Sequence, residues 1–180
     1  MSAARRPVVG VMGSGTTGHE ELAEPLGRWL AERGFHLLTG GGGGVMRSVS
    51  RAFSAAAGRT GVVIGVLPGT PPPDGYPNDW VDVAIHTHLP LSGLRGTDPM
   101  SRNHINVLSS DVIVALPGSA GTSSEVKLAL AYDRPVVAFV PSRAAIPDLP
   151  PQVPAHSSLD AVGRFIESHL GGAGIDRGDA

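Results

Sequence analysis

The 180-residue sequence contains no cysteine and only one lysine, Lys127. Without thiols the chain cannot form disulfides or use a thiolate nucleophile, and the commonest structural zinc sites are excluded. A pyridoxal-phosphate enzyme needs a lysine for its Schiff base, and Lys127 lies in a helix-forming segment as a solvated side chain. We therefore expect no pyridoxal phosphate chemistry.

The sequence also lacks a charge excess and a long apolar run. Lysine and arginine total 14 against 16 for aspartate and glutamate, a formal net charge of -2, which argues against nucleic-acid binding by bulk charge. No run approaches the roughly 18 apolar residues of a membrane span, and the first residues do not form a signal peptide. We expect a cytoplasmic protein with no nucleic-acid or membrane partner.

Six short apolar runs rich in β-branched residues alternate with segments of helical periodicity. Continuous apolar strands of this kind are typical of a parallel sheet covered on both faces. The alternation predicts one doubly wound α/β domain with a mainly parallel sheet and helices on both faces. The predicted strands are residues 8–12, 35–38, 62–67, 81–85, 112–116 and 136–140.

Two proline-rich segments interrupt the alternation, at residues 68–77 and 141–154, and both predict surface connections. A last amphipathic segment, Leu159–Leu170, predicts a C-terminal helix that begins after Ser157 or Ser158 and ends at Gly171 and Gly172. We expect an N-terminal tail at residues 1–6, one ligand-binding domain at 7–170 and a disordered C-terminal tail at 171–180.

Three glycine-rich turns join a predicted strand to a predicted helix, where ligands bind in open parallel sheets. The first, residues 13–18, fits the dinucleotide pattern G-x-G-x-x-G. A classical NAD site also needs an acidic residue near the end of the second strand, and that strand ends Leu37-Leu38-Thr39, so NAD is disfavoured. A tight turn that needs glycine only for its backbone remains the alternative.

The second turn is a run of five glycines, residues 40–44, and the third begins at Pro117 and leads into a helix. Helix N-termini with free amides favour anions, so the three turns predict a cradle for a phosphorylated, nucleotide-like ligand. No glycine is followed by lysine, which excludes a P-loop. The candidate ligand-binding residues are Gly13, Ser14, Gly15, Thr16, Gly41, Gly42, Gly43, Gly44, Pro117, Gly118, Ser119, Gly121 and Thr122.

Several motifs together resemble the LOG-like superfamily from about residue 7 to residue 139. They are Leu38-Thr39-Gly40, Val45-Met46, the segment IGVLPG at 64–69, RNHIN at 102–106, Ser110-Asp111 and Pro117-Gly118 followed by Gly121-Thr122 and Glu125. That superfamily includes cytokinin-activating phosphoribohydrolases, proteins labelled possible lysine decarboxylases, and molybdenum cofactor carrier proteins. The resemblance implies a Rossmann-like fold.

The segments GVMGSG, RNHINVLSS and GTSSEVKLAL are most similar to the carrier branch. This resemblance implies that the chain binds the molybdenum cofactor as its ligand and self-associates as a homo-oligomer, a dimer or tetramer. No metal ligands from the protein are expected. His86 and His88 are two residues apart and could share a side of a strand, but no third ligand is evident.

The hydrolase branch supplies the alternative function, cleavage of the N-glycosidic bond of a nucleoside 5'-monophosphate such as AMP or a cytokinin riboside monophosphate. The resemblance implies Arg102 and Glu125 as its catalytic residues, since a carboxylate can stabilise the oxocarbenium charge that develops on the ribose. Asn103 and Ser119 depart from the Lys and Gly of the hydrolase motifs. Glu125 as an ordinary helix-start acid and Arg102 as a surface arginine remain alternatives, so the sequence leaves open whether the protein is an enzyme.

Overall fold

The computed structural model describes residues 5–171 and shows one α/β domain. Most elements coincide with the sequence prediction to within two residues. The strands are β1 (Val8–Met12), β2 (His36–Thr39), β3 (Val63–Leu67), β4 (Val83–His86), β5 (Val112–Ala115), β6 (Val136–Phe139) and β7 (Ala155–His156). The helices are α1 (Glu20–Glu32), α2 (Val45–Ala55), α3 (Asn103–Leu108), α4 (Ala120–Ala131) and α5 (Leu159–Leu170).

All seven strands pair in parallel, in the order β4-β3-β2-β1-β5-β6-β7. The chain runs outward from β1 to β4 and then returns to place β5 on the other side of β1. The strand order therefore reverses between β1 and β5, which is where an open α/β sheet forms its ligand crevice.

The core has two layers because side chains alternate along each central strand. Val9 and Val11 of β1 pack on the side that α1, α2 and α5 cover, with Phe53 of α2 fully buried among them. Met12 of β1 and Ile113 of β5 pack on the opposite side with α3 and α4. The predicted doubly wound fold, with helices on both faces of a parallel sheet, is confirmed.

The fourth strand begins at Val83 rather than at the predicted residue 81, because a local turn precedes it. The Val81 amide donates to the carbonyl of Asn78, and the Asp82 carboxylate accepts the Val63 amide while it pairs with Arg59 at 2.7 Å. The two-residue strand β7 and the short helix α3 were not predicted as elements. Both are too short to produce a periodic apolar pattern.

Both ends of the predicted domain lie at the limits of the described residues. Arg5, within the predicted N-terminal tail, pairs with Asp111 at 2.6 Å. Residues 1–4 and the predicted disordered tail beyond Gly171 lie outside the described residues. Ser158 occupies the N-cap of α5, as predicted. Over residues 5–171, every helix is too short or too polar to cross a membrane.

Candidate functional site

The three glycine-rich turns meet at the carboxyl ends of β1, β2 and β5, and the backbone of one residue, Ser14, joins them. The Ser14 amide donates to the Pro117 carbonyl at 3.0 Å, and the Ser14 carbonyl accepts the Val45 amide at 2.9 Å. These bonds tie the first turn to the third turn and to the N-terminus of α2. The turns therefore lie at one edge of the sheet, as predicted, and are in direct backbone contact there.

The first turn contributes Gly13 and Gly15 to the wall of a cavity at this edge. The Ser14 hydroxyl accepts the amides of Thr16 and Thr17 at 3.2 and 3.0 Å, so it stabilises the turn itself. Thr16 is exposed and faces a neighbouring cleft beside Arg47. α1 begins only after His19 and has acidic residues in its first turn, so the N-terminus of α1 is not available to an anion.

The second turn packs against the rest of the site more than it lines the cavity. Gly40, part of the predicted cradle, lines the cavity, and its carbonyl accepts a hydrogen bond from Arg102. A side chain at Gly41 would meet Leu67, one at Gly42 would meet Tyr76, and one at Gly44 would meet the Ser14 carbonyl. Gly43 lines a second cavity. This turn is rich in glycine because neighbouring groups approach its backbone closely.

The third turn presents the start of α4 to the cavity. Ser119, Gly121 and Thr122 line it. The amides of the first helical turn lack intrahelical partners, so they provide a site for a negatively charged group. Pro117 and Gly118 serve the turn itself, since Pro117 accepts the Ser14 amide and a side chain at Gly118 would collide with Thr122.

The cavity that these turns enclose has a volume of about 230 Å³ and opens to solvent. Tyr76 and Gly15 separate it from the second cavity of about 340 Å³, which lies against the proline-rich loop. Pro68, Pro73 and Tyr76 bring that loop to the cavity wall. Sequence patterns did not identify these residues, because a surface loop gives no periodic signal that would fix its position.

Arg102 precedes α3, and its side chain is 6% exposed. Its Nη1 donates to the carbonyl of Gly40 at 2.6 Å and to the carbonyl of Val66, and its guanidinium lies 5.7 Å from the centre of the Tyr76 ring. Nε has no hydrogen-bond partner within the described part of the chain. The guanidinium thus links the ends of β2 and β3 to the cavity. Burial lowers the pKa of Arg102 from its ordinary value. The interpretation of Arg102 as a surface arginine is wrong.

Glu125 lies in the second turn of α4, also on the cavity wall, and is 8% exposed. Its Oε1 accepts a hydrogen bond from Nδ2 of Asn106 on α3 at 3.0 Å. Burial raises the pKa of Glu125, while the field of Arg102 and the Asn106 hydrogen bond oppose that rise. The structure therefore places Arg102 and Glu125 on the same cavity, and Asn106 joins them as a residue that sequence analysis did not single out.

This arrangement offers a bound molecule three kinds of contact. The amides at the start of α4 attract an anion, the Glu125 carboxyl can accept or donate a hydrogen bond, and Tyr76 offers an aromatic face. Between residues 5 and 171 no group of three or more His, Asp or Glu side chains lies close enough together to hold a metal ion. The cavity is suited to a polar, anionic ring compound.

Comparison with known proteins identifies relatives of nearly the whole chain. The model of the SLOG cluster4 family matches residues 6–161. An uncharacterised protein of Archaeoglobus fulgidus is 32% identical over 135 residues, which are 74% of this chain and 80% of that protein.

Two solved structures are also similar over almost the full chain. The molybdenum cofactor binding protein of Rippkaea orientalis is 35% identical, with a TM-score of 0.76, over 93% of this chain and 99% of that one. The Moco carrier protein of Chlamydomonas reinhardtii is 33% identical, with a TM-score of 0.73, over 93% and 99% of the two chains.

Proposed function

Since the chain belongs to the SLOG cluster4 family, within the LOG-like superfamily, we propose that it is a carrier that binds the molybdenum cofactor in the cavity between β1 and β5. The observation that supports this most strongly is the likeness to a cofactor-binding and a cofactor-carrier protein over 93% of the chain. The cofactor is cargo in this proposal, and its metal arrives already bound to its pterin.

The residues of the cavity fit a phosphorylated pterin. The phosphate would bind the amides of Ser119, Gly121 and Thr122 at the start of α4, where the helix dipole favours negative charge. Among residues 5–171, Arg102 makes its hydrogen bonds through Nη1 alone, which leaves Nη2 as a donor for a polar ring. The second cavity, of about 340 Å³, shares Gly15 and Tyr76 with the first, so a ligand longer than the first cavity has adjacent space on the other side of Tyr76.

A charge introduced at Gly121 tests where the phosphate binds. Among the described residues, a Cβ there would have only Gly93 within 4 Å, at 3.9 Å, so the backbone leaves room to start the side chain of Gly121→Asp and of its neutral isostere Gly121→Asn. We expect Gly121→Asp to weaken cofactor binding about tenfold or more by repulsion of the phosphate, and Gly121→Asn to weaken it much less. Equal affinities of the two variants in a titration with released molybdenum cofactor would remove the phosphate from this end of α4.

The second candidate function is a nucleoside 5'-monophosphate phosphoribohydrolase, and one observation favours it: Arg102 and Glu125 line the same cavity. A buried carboxyl of raised pKa can protonate a leaving base or stabilise the ribosyl cation. Incubation with AMP, with adenine and ribose 5-phosphate separated by chromatography, tests this function. Release of adenine that Glu125→Ala abolishes would establish the hydrolase, whereas cofactor binding without turnover would leave the carrier.

Self-association stays a prediction from the resemblance. Sedimentation of the purified protein distinguishes a monomer from the expected dimer or tetramer.

A further inference from the structure

Asn106 occupies a fully buried position one helical turn after Arg102. Its backbone amide donates to the Arg102 carbonyl at 3.1 Å, and its Nδ2 donates to Glu125 Oε1 at 3.0 Å. Asn106 itself does not line the cavity. Its side chain therefore acts on a bound molecule through Glu125.

The other half of the Asn106 amide is unsatisfied. Oδ1 is buried and has no hydrogen-bond donor among residues 5–171. A buried acceptor without a partner is costly, and such groups are rare in folded proteins. Rotation of the amide by 180° exchanges Oδ1 with Nδ2 and brings the acceptor to Glu125. In that orientation a protonated Glu125 can donate its O–H to Oδ1, so one asparagine can hold both forms of the carboxyl group.

We propose that Asn106 is a positioning residue that holds Glu125 in either protonation state, and that an anionic ligand binds in this cavity with uptake of one proton by the Glu125 carboxylate. The proton comes from hydronium or from the buffer acid, whose bond to that proton breaks as the O–H bond of the carboxylic acid forms. This inference rests on the proposed function for the identity of the ligand.

The surroundings of Glu125 make it the group that responds to an added negative charge. The charged group that faces it is Arg102, with the Tyr76 hydroxyl near that guanidinium, and β1 contributes only Val11 and Met12 to the same wall. Arg95 of the neighbouring 3-10 turn is exposed and pairs with Asp98, and Lys127 of α4 is exposed.

The sign of the pH dependence follows from these charges. Burial already raises the pKa of Glu125, and a phosphate nearby raises it further. Between the midpoint of the free protein and the higher midpoint of the complex, affinity rises as pH falls, by up to tenfold per pH unit for one proton. Glu125→Gln removes this dependence because its amide does not titrate.

The first experiment needs no ligand. NMR titration of the Glu125 side-chain carboxyl carbon in the free protein is expected to give a midpoint above that of an ordinary glutamate. Asn106→Leu raises it further, because the hydrogen bond to the charged carboxylate is stronger than the one to the neutral acid and its loss costs the charged form more. Asn106→Asp keeps the size and polarity of the side chain and gives a two-step titration, since two adjacent carboxyls share a proton. An ordinary midpoint, or one that both variants leave unchanged, would overturn the proposal.

The second experiment measures binding of the released molybdenum cofactor between pH 5 and pH 9 by calorimetry in two buffers of different ionisation enthalpy. Wild type is expected to take up more protons than Glu125→Gln within the window set by the NMR midpoint, and the difference is the proton of Glu125, because the cofactor phosphate, with a second pKa of about 6, titrates with both proteins. Cofactor binding with equal proton uptake by the two proteins would refute this inference and leave the carrier function intact. Failure of all proteins to bind the cofactor would refute the carrier function, while the NMR titration would still decide the role of Asn106.

Discussion

Replacement of Gly44 by alanine tests whether the glycine-rich turns are required by close backbone approach. Gly44 precedes α2 with φ 56° and ψ -132°. A Cβ there would lie 2.2 Å from the Ser14 carbonyl oxygen and 2.7 Å from the Thr16 amide nitrogen, both of them backbone atoms that cannot rotate away. The first turn would have to shift, and the hydrogen bond from the Val45 amide to Ser14 would be lost.

Gly58 supplies the control, because it also has a positive φ, 70°, but no atom of residues 5–171 lies within 4 Å of its Cβ position. Alanine at Gly58 incurs the cost of a positive φ, roughly 1–2 kcal/mol, and alanine at Gly44 incurs at least as much, because φ 56° with ψ -132° lies outside the left-handed helical region that residues other than glycine can adopt. Gly44→Ala incurs in addition the loss of a buried hydrogen bond, about 1–3 kcal/mol. We expect Gly58→Ala to lower the free energy of unfolding by about 1–2 kcal/mol and Gly44→Ala by about 2–5 kcal/mol.

Urea unfolding followed by circular dichroism measures both values, with an unchanged m value as the sign that only stability has changed. Cofactor binding provides a second comparison, since only Gly44→Ala displaces the turn that lines the cavity. Equal destabilisation by the two variants, with cofactor binding retained in both, would show that close contact with the first turn does not require glycine at position 44.

Three further substitutions test the core, the edge of the sheet and the buried guanidinium. Phe53→Ala should lower the free energy of unfolding by about 3–5 kcal/mol, because a fully buried aromatic ring is lost; a loss below 1 kcal/mol in urea unfolding would contradict the packing. The hydrogen bond from Arg59 lowers the pKa of Asp82, so that contribution to stability is present above the unfolded-state pKa and is lost as pH falls through the folded-state pKa. The difference between the urea midpoints of wild type and Asp82→Asn should therefore shrink as pH falls from 7 through the acid range, and a difference that stays constant over that range would refute the linkage. Arg102→Met leaves two buried carbonyl oxygens without their donor and should cost about 2–4 kcal/mol in the same assay, whereas unchanged stability would mean that the guanidinium does not hold the cavity wall.

The doubly wound fold could be predicted because the central strands are apolar on both faces. The prediction was least accurate at the edges of the sheet, where side-chain hydrogen bonds decide the boundaries. Asp82 is the example: its carboxylate accepts the Val63 amide and its own amide donates to the Val63 carbonyl, so a side chain supplies half of the pairing with β3 before β4 begins. Apolar patterns contain no information about such bonds.

At the site, the convergence of the three turns could be predicted from topology, since parallel strands end at a common edge. The roles of individual residues could not. The turn at 40–44 was expected to bind ligand throughout, but Gly41, Gly42 and Gly44 are packed by Leu67, Tyr76 and Ser14. Asn106 lies within the motif RNHIN at residues 102–106, yet only its contact with Glu125 in the folded structure gives it a chemical role.

The position of β5 beside β1 also determines when the cavity can exist during synthesis. β1 is made first, yet one of its edges stays without a partner until residues 112–115 follow, and the Ser14 amide finds its acceptor only at Pro117. A nascent chain that has completed β1 to β4 therefore lacks the third glycine-rich turn of the site and leaves one edge of β1 unpaired. The residues that line the cavity extend to Glu125 of α4, so a ligand can bind only after β5 and α4 have docked, and occupancy of the cavity reports that the two sides of the sheet have come together.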